Sequence, residues 1–194
     1  TPSCAGAASR TSTVPARTAA ISEAHGKADE GAAPRAPNAL AWLVLSGLVI
    51  WLDAVTKGLA LEHLRLGEPV AVIDGLLNWT LVYNPGAAFS FLSDASGWQR
   101  WFFAALAVGM SALLTVWLAR TDRRDWRQAA PFALVIGGAL GNLVDRLVHG
   151  HVIDFIDAYW GTAHWPAFNI ADSAIVIGAI GIALVGFLPK GRDW

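Results

Sequence analysis

Two aspartates each lie where an apolar stretch of the sequence meets its polar flank, Asp154 in HVIDFID and Asp172 in FNIADSA. An acidic side chain at the edge of a bilayer-spanning segment is costly to keep unless it is paired, faces water or takes part in function. Two carboxyl groups held close together do not both ionise easily, so one keeps a proton where the other acts as a base. Such a pair is suited to general acid–base hydrolysis of an amide bond.

Asp172 also has a purely structural interpretation. Asn169 fits the N-cap of a helix, which makes Asp172 the third helical residue. The helix dipole favours a negative charge there, so Asp172 is expected to be the more readily ionised member of the pair.

Other chemistries have weaker support. Asp157 lies three residues after Asp154 and competes with it for the catalytic role. A zinc site would need ligands such as the three histidines of the connector, but the H-E-x-x-H signature is missing. Lys57 with Ser90 or Ser93 has the residue types of a Ser-Lys protease, but nothing in the sequence indicates how these side chains are placed relative to each other. The three histidines are His149, His151 and His164.

The elements that position these acids are predicted to be membrane helices. The chain has 194 residues, of which 55% are hydrophobic and 15% charged, and this composition favours a polytopic membrane protein over a soluble domain. A helix of about 20 apolar residues crosses a bilayer. Four windows meet this length: 39–61, 98–119, 129–148 and 169–188. The predicted fold class is mainly α, with four transmembrane helices and a small extracytoplasmic β element.

Basic residues predict the orientation, because Lys and Arg are enriched in cytoplasmic loops. They cluster before the first window, between the second and third, and after the fourth: Arg10, Arg17, Lys27, Arg35, Arg120, Arg123, Arg124, Arg127, Lys190 and Arg192. Both termini are therefore expected in the cytoplasm, with a disordered extension over 1–38 and a tail over 189–194. Segments 62–97 and 149–168, with the acids beside them, are expected outside, where residues 62–97 could close over the site as a lid.

Charged residues inside the windows need partners. Asp53 and Lys57 are four residues apart and share one helical face, which favours an ion pair that supports the bundle. Asn142, Asp145 and Arg146 form one polar face near the outer end of the third window. Asp145 with Arg146 is either a boundary ion pair, or Asn142 and Arg146 orient the nearby carboxylates. Gly137, Gly138 and Gly141 permit close helix contact.

The segment between the first two windows contains a predicted strand. Apolar Leu77, Trp79, Leu81 and Tyr83 alternate with their neighbours, which indicates a strand with one buried face. The NPGAAFS sequence that follows favours a turn at Pro85 and Gly86. That turn is either an ordinary hairpin or a loop that contacts substrate.

Five motifs occur in order: DAVTK (53–57), NPGAAFSF (84–91), GNLVDR (141–146), HVIDF (151–155) and FNIADS (168–173). Each alone is weak, but the ordered set resembles that of the bacterial lipoprotein signal peptidases, or signal peptidase II. The resemblance covers about residues 40–188. One departure is Ala54, where the family usually has a polar residue, and it leaves the catalytic residues unaffected.

The resemblance implies an aspartic endopeptidase of the bacterial inner membrane. It would remove the signal peptide of prolipoproteins at the amino side of a diacylglyceryl-modified cysteine, in contact with membrane lipid, and globomycin would inhibit it. The family assigns catalysis to Asp154 and Asp172 rather than Asp157, and we expect no metal, other cofactor or nucleic acid. Around the substrate and the pair it places Asn84, Gly86, Asn142, Arg146 and Asn169, with Asp53 and Lys57 in support.

A small transporter is the alternative class, because intramembrane Asp and Lys residues also mark ion pathways. Transport sites tend to lie near the bilayer midplane, between internal repeats. Here the acids cluster at one predicted surface and the sequence has no visible repeat, which favours the peptidase.

Overall fold

A computed structural model describes residues 37–86 and 97–187 of the chain. The elements follow in the order α1 (Leu43–His63), β1 (Val70–Ile73), β2 (Leu77–Asn84), α2 (Trp98–Arg120), α3 (Trp126–Val148), β3 (Val152–Trp160), β4 (Ala163–His164) and α4 (Ile170–Phe187), and a 3-10 turn at Ala39–Trp42 precedes α1. The predictions for residues 1–36, the tail 189–194, most of the NPGAAFS loop, Ser90 and Ser93 lie outside the described residues.

Four helices are long and apolar enough to cross a membrane, and they occupy the four predicted windows. Helix α3 begins three residues before its window because the Asp125 side chain accepts a hydrogen bond from Gln128 N at 3.3 Å and caps the first turn. The helices carry large apolar side chains on their outer faces, among them Leu48, Trp51, Leu106, Val108, Ile177 and Ile180. The chain is a multi-pass membrane protein, and the predicted fold class is confirmed.

Helix α3 is the central helix of the bundle and packs against the other three. Its contacts depend on glycine. A Cβ on Gly137 would lie 2.8 Å from the Val49 Cβ of α1, and one on Gly138 would collide with the Ala171 carbonyl of α4. The predicted close helix contacts at these glycines are confirmed. At the end of the bundle away from the sheet lies the apolar core of Ala39, Leu114, Leu118, Ala129, Phe132, Val135 and Ile136.

The four strands form one antiparallel sheet in the order β1-β2-β3-β4, built from the two segments that were expected to lie outside the membrane. The predicted strand at β2 is confirmed, but the prediction that it has a single buried apolar face is wrong. Trp79 and Tyr83 are exposed, whereas Asn78 and Leu81 are buried. The register with β3 shifts by one residue between Trp79 and Val82, and this bulge interrupts the alternation.

Candidate active site

Asp154 is the third residue of β3, near its start, and is 1% exposed. Its Oδ2 accepts a hydrogen bond from Asn84 Nδ2 of β2 at 3.0 Å, and its Oδ1 accepts one from Asn169 Nδ2 at 2.8 Å. Burial, followed by the nearby charge of Asp172, raises the pKa of Asp154 to about 7. The two amide donors and the charge of Lys57 oppose this rise in pKa without cancelling it. Asp154 therefore holds a proton close to neutral pH.

Asp172 lies in the first turn of α4, where it forms a reciprocal cap with Asn169. Asp172 N donates to Asn169 Oδ1 at 2.8 Å, and Asn169 N donates to Asp172 Oδ2 at 3.3 Å. The other carboxylate oxygen, Oδ1, accepts from Asn142 Nδ2 of α3 at 2.6 Å. The predicted N-cap is confirmed, and the Asp172 carboxylate accepts hydrogen bonds from both α3 and the start of α4.

Asn169 joins the two acids. It is fully buried, and besides donating to Asp154 its Nδ2 lies 3.1 Å from Asn142 Oδ1 and 3.2 Å from the Ile153 carbonyl. Its Oδ1 accepts from Asp172 N. The structure thus brings Asp154, Asp172, Asn84, Asn142 and Asn169 into one hydrogen-bonded network.

Asp53 and Lys57 form the expected ion pair at 2.6 Å. Lys57 Nζ also donates to Asn142 Oδ1 at 3.1 Å, so the pair reaches the network around the acids. Of the two alternatives for this polar face, the boundary ion pair of Asp145 with Arg146 is not formed; Asp145 Oδ2 instead lies 2.7 Å from Lys57 Nζ. The reason is that Asp145 faces α1 across the helix contact, whereas the Arg146 guanidinium lies over the Phe103 ring of α2 at 5.2 Å.

Arg146 and Gly86 lie on the side of the site that faces α2. Arg146 Nη1 donates to the Asn142 carbonyl at 3.2 Å. Gly86 has φ +106°, and its N donates to Asn84 Oδ1 at 2.9 Å, which closes a tight turn directly after β2. A Cβ at this position would lie 2.9 Å from the Phe103 ring, so both the backbone conformation and the available space require glycine.

A largely apolar groove of about 400 Å³ leads from this side of the site along α2, α3 and α4. Its wall contains Leu106, Met110 and Ile175, and its few polar groups come from Asn142, Arg146 and Asp172. An apolar path that ends at a carboxylate suits a long aliphatic ligand with a polar head.

The competing sites are separated from this network. Asp157 Oδ2 accepts from Asn78 Nδ2 at 3.0 Å, and its Oδ1 lies 2.8 Å from His164 Nδ1. His164 lies beside Tyr159, at the opposite end of β3 from His149 and His151. Within residues 37–86 and 97–187, no three His, Cys, Asp or Glu side chains are grouped so that they could hold a metal ion.

Sequence reasoning missed the role of Asp145. Its Oδ2 accepts a hydrogen bond from Ile153 N at 3.0 Å, directly beside Asp154, in addition to its contact with Lys57. The available signal was its spacing, because Asp145 lies three residues after Asn142 and one turn of helix brings both toward the same partners.

The chain matches the family model described as Signal peptidase (SPase) II over residues 45–188. It is 65% identical over 157 residues to the lipoprotein signal peptidase of Xanthomonas campestris pv. campestris (strain 8004), covering 81% of this chain and 94% of that protein. It is 60% identical to the lipoprotein signal peptidase of Xylella fastidiosa (strain M12) with the same coverage. A bacterial membrane enzyme solved by the in meso method at 1.9 Å superposes with a TM-score of 0.66 at 30% identity, covering 77% of this chain and 94% of that one. With its four apolar helices and paired acids, the chain belongs to the signal peptidase II family of aspartic membrane proteases.

Proposed function

We propose that this protein removes the signal peptide of bacterial prolipoproteins, with Asp154 and Asp172 as its catalytic pair. The observation that carries the proposal is the bridge through Asn169, which hydrogen-bonds to both acids. Relatives that are at least 60% identical are lipoprotein signal peptidases, and they support this class of substrate.

The environments of the two acids support different roles. Asp154 carries the proton near neutrality and acts as the acid that polarises the scissile carbonyl. Asp172, at the helix start, is the ionised base that takes a proton from the attacking water. The roles reverse when the amine leaves, and because the acids interact, their pH dependence belongs to the pair.

The groove that ends at Asp172 supports a substrate lipidated beside the cleavage site. Cleavage at the amino side of a diacylglyceryl-modified cysteine would place acyl chains along apolar side chains such as Met110 and Ile175, and the scissile bond beside the acids. Holding the substrate in the membrane restricts its orientation and lowers the entropic part of the barrier. A globomycin-type peptide with an aliphatic chain is expected to compete for the same groove.

We place the protein in the inner membrane with both termini in the cytoplasm and the acids near the outer face. Four of the arginines predicted to be cytoplasmic lie at or near the connection between α2 and α3, at the opposite end of these helices from the sheet: Arg120, Arg123, Arg124 and Arg127. In a Cys4→Ser background, Thr162→Cys should react with a membrane-impermeant maleimide on intact spheroplasts, whereas Thr121→Cys should react only after lysis. The reverse labelling pattern would refute this orientation.

The experiment for the function is a gel-shift cleavage assay in detergent. A diacylglyceryl-modified prolipoprotein and its unlipidated form are each incubated with wild type, Asp172→Asn and, as a matched control, Asp125→Asn at the opposite end of α3. We expect wild type and Asp125→Asn to cut only the lipidated form, and Asp172→Asn to lose about 10²–10⁴-fold in turnover. Normal cleavage by a folded Asp172→Asn protein would refute the catalytic pair. Equal cleavage of both substrates would refute the lipid requirement.

A further inference from the structure

One buried cation joins two acids on different helices. Lys57 is 2% exposed, and its Nζ lies 2.6 Å from Asp53 Oδ2 of α1 and 2.7 Å from Asp145 Oδ2 of α3. It also donates to Asn142 Oδ1 at 3.1 Å. The ammonium group therefore has a partner for each of its three protons, and we call Asp53, Lys57 and Asp145 the charge triad.

Both acids of the charge triad also accept a hydrogen bond from the main chain. Asp145 Oδ2 accepts from Ile153 N at 3.0 Å, and Asp53 Oδ1 accepts from Ala171 N at 2.9 Å. Ile153 is the residue immediately before Asp154, and Ala171 is the residue immediately before Asp172. The triad thus links the backbone of β3 to the first turn of α4 next to both proposed catalytic residues.

Neither β3 nor α4 alone fixes the distance between the two acids, because the chain runs through β4 and a connector between them. The triad spans this gap beside Asn169, since Lys57 and Asn169 both contact Asn142 Oδ1, and it has little freedom to move. A Cβ on Gly141 would lie 2.9 Å from Asp53 Oδ2, so the acid is seated directly against the α3 backbone. Removing Lys57 would leave two buried acids without their shared counter-charge.

We propose that Asp145 is a positioning residue which, with Lys57 and Asp53, holds the backbones of Asp154 and Asp172 at the separation that catalysis needs. The inference rests on the proposed function of that pair. Asp145 acts through Ile153 N and Lys57 and does not contact the reacting groups. Because a misplacement of about 1 Å can cost 10²-fold in rate, the triad affects turnover more than substrate binding.

The test separates the hydrogen-bond acceptor from the charge at position 145. Asp145→Asn keeps an oxygen for Ile153 N and leaves Lys57 paired with Asp53, whereas Asp145→Leu removes both interactions with a larger side chain of the same branched shape. Asp157→Asn is the matched control, since Asp157 is a buried acid on β3 that contacts neither the triad nor the catalytic pair. Steady-state kinetics with a lipidated prolipoprotein and thermal unfolding in detergent are measured for each variant.

We expect Asp145→Leu to lower kcat by about 10²-fold with little change in KM, at temperatures where it remains folded. Asp145→Asn should recover most of that loss, because the amide oxygen can accept the Ile153 hydrogen bond. Asp157→Asn should keep the kcat of wild type. A role in stability alone would lower the unfolding temperature of Asp145→Leu and leave the kcat of its folded fraction unchanged, which would overturn the proposal.

If Asp145→Leu does not fold, the comparison moves to Asp145→Asn, Asp53→Asn and their double variant. Each single variant should reduce kcat only modestly, because it keeps an oxygen for its main-chain donor and leaves one acid paired with Lys57. The double variant should lower kcat by more than the sum of the two effects, because Lys57 then has neither acid. Wild-type kcat in the double variant would overturn the proposal. Failure of the proposed function would look different: wild type would not cleave, or Asp154→Asn would still turn over.

Discussion

Two asparagine–aspartate pairs join the same two strands, but only one belongs to the proposed active site. At one end of the strands Asn84 Nδ2 donates to Asp154 Oδ2, and at the other Asn78 Nδ2 donates to Asp157 Oδ2, each at 3.0 Å. Both acids are buried, at 1% and 8% exposure. The two sites therefore start from the same local chemistry.

The difference lies in the remaining partners. Asp157 faces His164, whose ring can carry a positive charge opposite the carboxylate. Asp154 instead receives the neutral amide of Asn169 and has a second acid, Asp172, nearby. Burial, followed by the charge of Asp172, raises its pKa to about 7, and the charge of Lys57 only partly opposes this rise. The second acid and the neutral hydrogen-bond partner, rather than the strand asparagine, therefore distinguish the proposed catalytic aspartate from the structural one.

A single extra residue in β2 allows one strand pair to serve both sites. Asp154 and Asp157 are three residues apart and so point to opposite faces of β3. Asn78 and Asn84 are six residues apart and would share a face in a regular strand. The register shift between Trp79 and Val82 turns Asn84 toward Asp154.

The largest expected effect is on turnover, and it should separate the two acids. Asp154→Asn removes the acid of the proposed pair and should lower kcat by about 10²–10⁴-fold while the protein remains folded. Asp157→Asn should keep its turnover but lower the free energy of unfolding by about 1–3 kcal/mol, because it weakens a buried hydrogen-bonded pair. Kinetics and thermal unfolding of both variants check this, and a folded Asp157→Asn protein without turnover would contradict it.

The second effect is on stability as a function of pH. Between the ordinary aspartate pKa of 3.8 and about 7, folded Asp154 keeps a proton that the unfolded chain has released, so stability falls as pH rises through this range. One pKa unit corresponds to about 1.4 kcal/mol, which gives an upper limit of about 4 kcal/mol. The Asp154→Asn variant should not lose stability in this way as the pH rises.

Apparent melting temperatures in detergent test this second prediction. The melting temperature of Asp154→Asn relative to wild type should increase from about pH 4 to about pH 7 and then level off. Asp157→Asn provides the control for a buried acid on the same strand. A difference between Asp154→Asn and wild type that stays constant with pH would show that Asp154 is ionised throughout the range.

The third effect is a shift in the pH profile of activity. The Asn84 hydrogen bond lowers the pKa of Asp154, so Asn84→Ala should raise it. Because Asp154 acts in its protonated form, the alkaline limb of kcat should then move upward by as much as about one pH unit. Asn78→Ala, the matched change at the other pair, should leave the profile in place. An equal shift in both variants would mean that the effect comes from the sheet and not from Asp154.

The features that stand out against an apolar sequence, namely the four spans and the acids at their edges, could be predicted from the sequence. The four spans are long apolar windows, and Asp154 and Asp172 stand out at their edges. Asn169 could also be predicted as a helix cap, because capping depends only on nearby residues.

Long-range partners could not be predicted in the same way. Asp145 pairs with Lys57, which is 88 residues away in sequence and on another helix. No local pattern in the sequence favours this pair over a pair of Asp145 with Arg146. The bulge in β2 was also missed, because Leu77, Trp79, Leu81 and Tyr83 alternate in sequence as they would in a regular strand. Only the register with β3 shows that the alternation is interrupted.

The smallest expected effect concerns His164, which completes the structural pair. Its ring stacks on Tyr159 with a centroid distance of 4.9 Å and faces Asp157, but its side chain is half exposed, so solvent weakens its interaction with the carboxylate. His164→Ala should lower the free energy of unfolding by no more than about 1 kcal/mol. Its kcat and pH profile should match those of wild type, since Asp154 and Asp172 keep all their partners. A changed pH profile in His164→Ala would mean that the two ends of β3 are electrostatically coupled, and the separation between a reactive and a structural aspartate would then fail.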